Sequence, residues 1–342
     1  KNIHKILILI STLSLFSCAK WLDIQPESDV DKNVLFSTED GFKEALLGVY
    51  TRASKSDLYG LELTIGTPEV LAQNYVMASG DKLRYEETKK FKYQDAKFKY
   101  QDANFITRKD NIWKGLYNGI VNSNLILEEI DKKQKLFVGN NYALIKGEAL
   151  ALRAYLHFDA LRLFAPSPML NNKSDAIPYV TSYSNKSTKL STVAQVLDSA
   201  IRDLEIAKNL LKVDPIRQPS YLIGYPIITD TLKNSELNSS ELFLQNRRHR
   251  LNYFAVCGLL ARIYLYQGDQ VKALANANEV INANKFPWTN KTDFLALEPD
   301  KKDRIFYKEL LFAWYIPAMS GTYNNDWFVD GTVGMYLDED ET

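Results

Sequence analysis

Two cysteines and three histidines are all that this 342-residue chain carries of the side chains that most often ligate metals or attack substrates. His4, His157 and His249 stand far apart in sequence. A zinc centre needs Cys and His ligands that converge, so none is expected. His157 falls within a helical pattern and reads as a packed or capped side chain. No GxSxG, HExxH, phosphate-binding P-loop or dinucleotide fingerprint occurs, which removes the common hydrolase, metalloprotease and nucleotide-dependent classes. No Asp- and Asn-dense loop of the EF-hand kind is present. Neither charge sign prevails: Lys plus Arg and Asp plus Glu both number 42. A neutral chain gives no support to nucleic acid or an anionic surface as partner. Long apolar runs are missing as well. The longest, Ile6 to Phe16, falls well short of the roughly 20 residues that a spanning helix needs. What the chain does hold is an unremarkable 46% of apolar residues and a rather high 12% of aromatics, with 20 tyrosines. That combination suits a globular protein with surfaces half apolar and half wet.

The front end has its own chemistry. Lys1, His4 and Lys5 precede the apolar run, the pattern of a secretory signal. Leu15-Phe16-Ser17-Cys18 closes it and resembles the lipobox of bacterial lipoproteins. In that class the Cys18 thiol takes a diacylglyceryl group, the signal is removed and the new amino terminus is acylated. One acyl chain holds a protein to a bilayer only marginally, whereas several hold it stably. Residues 1–17 are therefore expected to be the signal peptide and residues 18–36 a lipidated tether. Cys257 lies in an apolar helical pattern and reads as a small buried side chain. With Cys18 lipidated, no disulfide is possible.

Beyond the tether, Ser37-Thr38-Glu39-Asp40 resembles a capping box, and Phe42, Ala45, Leu46 and Val49 follow at helical spacing. Residues 55–107 read as irregular and contain a tandem copy, KFKYQDA at Lys90–Ala96 and again at Lys97–Ala103. The copy is too short for a structural repeat unit. Five helical patterns come next. The first is Trp113, Tyr117, Ile120, Asn124 and Leu127, in which Asn124 must be hydrogen-bonded inside an interface. The second is Ile145, Ala149, Leu152, Leu156, Ala160 and Leu163, stopped by Pro166 and Pro168. Val193, Leu197, Ala200, Leu204, Ala207 and Leu211 form the third, closed by Asp214-Pro215. Leu251, Phe254, Gly258, Ala261 and Leu265 form the fourth. Ala273, Ala277 and Val280, with Leu274 and Ile281, form the fifth. Ala261, Tyr264, Gly268, Ala273, Ala277 and Pro287 carry the spacing of a tetratricopeptide helix–turn–helix, with Gly268-Asp269 as its turn. The fold class is thus mostly α, built of tetratricopeptide-like helix pairs stacked on one another, with an irregular, loop-rich subdomain. The stretch Val213–His249 ends in the basic cluster Arg247, Arg248, His249 and Arg250, which reads as a solvated helix start. After Trp288 the run ELLFAWYIP alternates like a strand.

In this order, Cys18, WLDIQP, FSTEDGFKEALLGVY, IWKGLYNGIVNSNLIL, KGEALALRAYLHFDALRLFAPSPML, AIPYV, STVAQVLDSAIRDLEIAKNLL and LLARIYLYQGDQVKALANANEVI resemble the SusD/RagB family of outer-membrane nutrient-binding lipoproteins. The resemblance covers nearly the whole chain. It departs where the family has Gly after the aromatic at Phe164: here stands Ala165, with Ser167 inserted in the turn. The resemblance implies an outer-membrane, lipid-anchored protein facing the cell surface. It implies capture of an oligosaccharide or similar nutrient and its delivery to a SusC-like TonB-dependent transporter. It implies no enzyme activity, no cofactor and no nucleic acid. Family members are longer, so residues 37–288 are expected to form the helical domain and residues 289–342 the start of a C-terminal ligand-binding subdomain that continues beyond this chain.

Sugars offer apolar C–H faces and hydroxyl edges, so aromatic rings beside amide and carboxylate groups suit them. Helix faces are committed to packing, which leaves loops. Two loop clusters qualify as candidate ligand contacts: Gln73, Asn74 and Tyr75, and Tyr323, Asn324, Asn325, Asp326 and Trp327. Trp113, Tyr117 and Tyr264 read as structural, and Trp314, alternating with Phe312, as core. A tetratricopeptide scaffold that binds protein is the alternative. An all-helical glycoside hydrolase is another, since it needs only two suitably spaced carboxylates.

Overall fold

The computed structural model describes residues 32–77, 83–89, 102–224, 235–317 and 335–336. The chain divides into two compact units, Lys1–Thr38 and Glu39–Thr342. Cys18 and the tether up to residue 31 lie outside the described residues; the end of the tether forms one short helix, α1 (Lys32–Leu35). Ser37 Oγ donates to the Val34 carbonyl at 2.7 Å there.

The second unit is helical. Its main helices are α2 (Glu39–Ala53), α5 (Ala103–Ile130), α6 (Asn141–Phe164), α8 (Val193–Leu210), α9 (Tyr253–Gln267) and α10 (Gln270–Ile281). Short helices α3 (Thr67–Leu71), α4 (Glu86–Lys89), α7 (Pro168–Asn171) and α11 (Lys291–Ala296) lie between and after them. The long helices pack in chain order, each on the next: α2 on α5, α5 on α6, α6 on α8, α8 on α9 and α9 on α10. This is the stack of helix pairs expected from the periodicities. Among the described residues no helix is long and apolar enough to cross a membrane.

Helix α6 is the centre of the stack. It buries residues on every side, from Leu144 through Leu161, as a helix must when neighbours cover it all round. Two glycines permit the close approach. A Cβ at Gly119 of α5 would stand 2.7 Å from Leu156 Cδ1, and one at Gly147 of α6 would stand 2.8 Å from Leu211 Cγ. A polar clamp ties three helices together. Arg153 of α6 donates to both carboxylate oxygens of Asp203 on α8, each at 2.7 Å, and to Asn124 Oδ1 on α5 at 2.9 Å. Asn124 Nδ2 in turn donates to the Val180 carbonyl at 2.9 Å. Its polar place on the α5 stripe is met as the pattern required.

Local signals end the helices where the chain must turn. Asp102, next to last in the second KFKYQDA copy, caps α5 by accepting from Phe105 N at 2.7 Å; residues 90–101 lie outside the described residues. Thr192 and Gln195 form a reciprocal capping box at the start of α8. Gly268 stops α9 at φ +93° and Asp269 caps α10, accepting from Lys272 N at 3.0 Å. The two-residue Gly268-Asp269 turn makes α9 and α10 the hairpin that the tetratricopeptide spacing predicts.

Three details differ from the sequence reading. The buried stripe of α5 runs through Ile112, Leu116, Ile120, Asn124, Ile126 and Ile130; Trp113, Tyr117 and Leu127 flank it. In α9 the buried face runs through Val256, Leu260 and Ile263, while Leu265 is exposed. The run ELLFAWYIP is not a strand. It is a single extended segment, held by Ala313 N donating to the Arg248 carbonyl at 3.0 Å and Asn252 Nδ2 donating to the Leu311 carbonyl at 2.8 Å.

Residues 55–77 and 83–89 form the loop-rich part. Val70, Tyr75 and Tyr85 make a small core there, with Leu61, Ile65 and Leu83 against it. Arg108 of α5 stacks 3.6 Å over the Tyr85 ring and fixes this part to the helices. An antiparallel ladder pairs β1 (Val76–Met77) with β2 (Met335–Tyr336).

Candidate functional site

The segment Asn246–Asn252 is where sequence reasoning went furthest astray. Arg247, Arg248 and Arg250 are 0%, 2% and 5% exposed, so the basic cluster is not a solvated helix start. Arg247 Nε and Nη2 donate to the two oxygens of Asp214 at 3.0 and 2.7 Å, and Nη1 donates to Glu148 Oε1 at 2.7 Å. Arg248 grips Glu236 through Nε and Nη2 at 2.8 and 2.7 Å. Arg250 stacks on Phe243 at 4.0 Å, with its Nη1 3.7 Å from Glu148 Oε1. Every one of these cations is matched by a buried carboxylate, the condition under which charge can leave water. Tyr50 completes the set: its hydroxyl donates to Glu148 Oε2 at 3.0 Å and accepts from Leu251 N at 2.8 Å. Burial, and then the adjacent Glu148 charge, push the Tyr50 phenol far above its ordinary range, so it stays protonated.

This fixed segment forms one wall of a groove of about 1090 Å³. Phe243, Asn246, His249 and Arg250 line it together with Leu47 and Tyr50 of α2 and with Trp314 and Tyr315. Asn246 holds a left-handed backbone at φ 49°, a region that Asn enters more readily than most residues. Trp314 stacks on Tyr59, with ring centres 4.4 Å apart and planes 13° from parallel. Tyr155 and Phe312 meet its indole edge-on. Tyr315 is 62% exposed and stacks on His249 at 5.1 Å. Burial pulls the His249 pKa down, so at neutral pH this is a stack of two uncharged rings. The groove's polar groups include Gln245, Asn246, Thr51, Ser54 and Ser56; of its charged groups, Lys43 is neutralised by Glu39 at 2.7 Å and Asp40 at 3.2 Å, and Lys55 and Glu241 are opposite in sign. An exposed aromatic face beside amides and hydroxyls, with little net charge, can stack a pyranose ring and hydrogen-bond its edges.

The predicted ligand residues fall elsewhere. Tyr75 is buried in the small core and is not available to a ligand. Gln73 and Asn74 are exposed and do not line the groove; their amides donate to the Lys89 carbonyl at 2.9 Å and Glu69 Oε2 at 2.5 Å. Tyr323, Asn324, Asn325, Asp326 and Trp327 lie outside the described residues. Trp314, read as core, packs as core on one face and borders the groove. Tyr315, its neighbour in the quoted run, was the one signal that could have found the site.

The structural readings of other residues hold. Tyr117 donates to the Pro178 carbonyl at 2.9 Å, Tyr264 to Glu205 at 3.1 Å, and Trp113 meets Phe164 edge-on at 5.0 Å. His157 is packed between helices: Nδ1 donates to the Arg153 carbonyl at 2.8 Å and Nε2 accepts from Val180 N at 3.0 Å. Burial drives its pKa down to about 3. Cys257 is buried, and burial raises its thiol to about 12, which leaves it inert. Among the described residues no group of His, Cys, Asp or Glu side chains is placed to hold a metal ion.

Residues 20–222 match the SusD-like family described as starch-binding and associating with the outer membrane. A curated relative, SusD-like protein P38 of Formosa agariphila, is 29% identical over 215 residues, which is 62% of this chain and 38% of the relative. A SusD superfamily protein of Bacteroides thetaiotaomicron superposes with a TM-score of 0.54 at 22% identity, over 75% of this chain and 49% of that one. A SusD-like carbohydrate-binding protein of Bacteroides vulgatus gives 0.55 at 18% identity, over 75% and 47%. At these identities the structures speak for the fold alone, and the chain spans half or less of each relative's length. The matched span holds the α2 wall of the groove, while Phe243 to Arg250, Trp314 and Tyr315 lie beyond it. On the helix stack and this family match together, the chain belongs to the SusD-like family.

Proposed function

We propose that the protein captures an oligosaccharide in the groove beneath Tyr315 and passes it to a SusC-like TonB-dependent transporter in the outer membrane. The observation that carries this reading is the exposed Tyr315 ring, backed by His249 and opening onto a groove of amides and hydroxyls. Packing of a pyranose C–H face needs an aromatic ring held in place, as the His249 stack holds Tyr315. In this reading residues 1–17 are the export signal, Cys18 carries the acyl chains on the tether 18–36, residues 37–288 are the helical domain and residues 289–342 begin the ligand-binding subdomain. Exposed Gln73 and Asn74, with Tyr323, Asn324, Asp326 and Trp327, are proposed as further ligand contacts.

Calorimetric titration with a panel of neutral and acidic oligosaccharides tests the groove. Binding is expected without cleavage, and Tyr315→Ala should weaken it at least about tenfold, the scale of one lost stacking contact. Affinity unchanged in Tyr315→Ala, or no glycan bound at all, would sink the reading. Mass spectrometry of the natively expressed protein should find acylated Cys18, and pull-down from solubilised outer membrane should recover a β-barrel transporter.

A second reading has its own observation. Val271, Leu274 and Ile281 on α10 are exposed, with Leu265 and Trp288 exposed near them in sequence. Such a face suits a protein partner, as in tetratricopeptide scaffolds.

A further inference from the structure

A second groove, of about 880 Å³, shares no lining residue with the first. It lies between the C-terminal half of α10 and the segment Arg217–Ile223. Its charged lining is Arg217, Lys285, Lys308 and one carboxylate, Glu279. Glu279 is already engaged: Oε2 accepts from the Tyr253 hydroxyl at 3.1 Å, and Oε1 lies 3.5 Å from Lys208 Nζ. Lys285 donates to two carbonyls, Gln218 at 2.6 Å and Tyr221 at 2.9 Å. Burial lowers its pKa, and no carboxylate offsets that among the described residues. Arg217 lies 4.4 Å over the Tyr253 ring, which holds its flat cation at the groove wall. The carbonyl end of α10 contributes only about half a negative charge. Arg217 and Lys285 are therefore cations that no carboxylate among the described residues neutralises, whereas Lys308 has a partner of its own.

We propose that this groove binds an anionic oligosaccharide, one bearing carboxylate or sulfate groups. The cations would meet the acidic groups, and Asn278, Asn282 and Asn284 would meet hydroxyls. The volume is that of a ligand pocket rather than of a single ion. The inference is independent of the Tyr315 groove.

The test is calorimetry on the full chain at low ionic strength. The probes are galacturonate, mannuronate and sulfated galactose tetramers, each beside its neutral counterpart, with tetraglutamate and inorganic sulfate as controls. At least one acidic tetramer should bind about tenfold or more tightly than its neutral counterpart, and added salt should weaken it. Lys285→Met should cost at least about tenfold in that affinity. Asn282→Asp, which leaves the Lys285 bonds in place, should weaken it in the same direction, and Tyr315→Ala should leave it unchanged. The proposal is overturned by equal affinity for every acidic and neutral pair, or by no acidic tetramer binding. It is equally overturned if tetraglutamate or sulfate binds as tightly as the saccharides, or if both groove variants leave the affinity intact.

Discussion

At the scale of single residues, the decisive feature is charge held out of water. Glu148 is 0% exposed and serves Arg247, Arg250 and Tyr50 at once. Removing it strands the Arg250 guanidinium and leaves Arg247 with Asp214 alone, so Glu148→Ala should lose about 3–5 kcal/mol of unfolding free energy in urea titration. His157 makes a pH prediction. Its folded pKa of about 3 lies below the ordinary 6.5, so between those values the unfolded chain binds more protons than the native one. Stability must then fall as pH drops through that window, by up to about 1.4 kcal/mol per pH unit from this residue. His157→Gln should show a shallower fall between pH 6.5 and pH 5, read from urea midpoints; an identical slope would refute the assignment. The residue-level reading succeeded where a polar group sat on a periodic apolar face, as at Asn124 and His157. It failed at Arg247 because the partners are 33 and 99 residues away in sequence. Nothing local distinguishes an arginine bound for a distant carboxylate from one bound for water.

At the scale of elements, periodicity located all six long helices but set the phase of α5 and α9 about one position off. Trp113, Tyr117 and Leu265 are apolar yet sit beside the buried stripe rather than in it, since large rings and exposed leucines tolerate a half-wet position. The α8 capping box escaped notice although Thr192 and Gln195 stand in plain sequence view. Thr192→Ala should cost about 1 kcal/mol, measured as a shift in urea midpoint. Gly147→Ala should cost more than the usual helix gain from alanine, because its methyl meets Leu211 Cγ at 2.8 Å. The alternation in ELLFAWYIP reads as a strand because period two marks any extended chain. Whether an extended segment joins a ladder depends on a partner strand, and here its partners are Arg248 and Asn252.

At the scale of the whole molecule, the helix stack was legible because each helix carries its own pattern. The groove was not, because its walls come from α2, residues 241–250 and residues 314–317, which only folding assembles. The apolar face of α10 gives a prediction at this scale. Val271→Lys with Leu274→Glu removes exposed apolar side chains that pack on little, so the thermal midpoint should hardly move. If that face meets a partner, the double variant should lose the transporter in pull-down yet keep glycan binding; undiminished capture would exclude the face.

The arginines behind Asn246–Asn252 carry a kinetic corollary. On the proposed function, a wall bolted to the central helix before a glycan arrives has no ordering left to do upon encounter. Association should accordingly run in a single exponential phase, and differences among glycans should surface in how long they stay, not in how fast they dock.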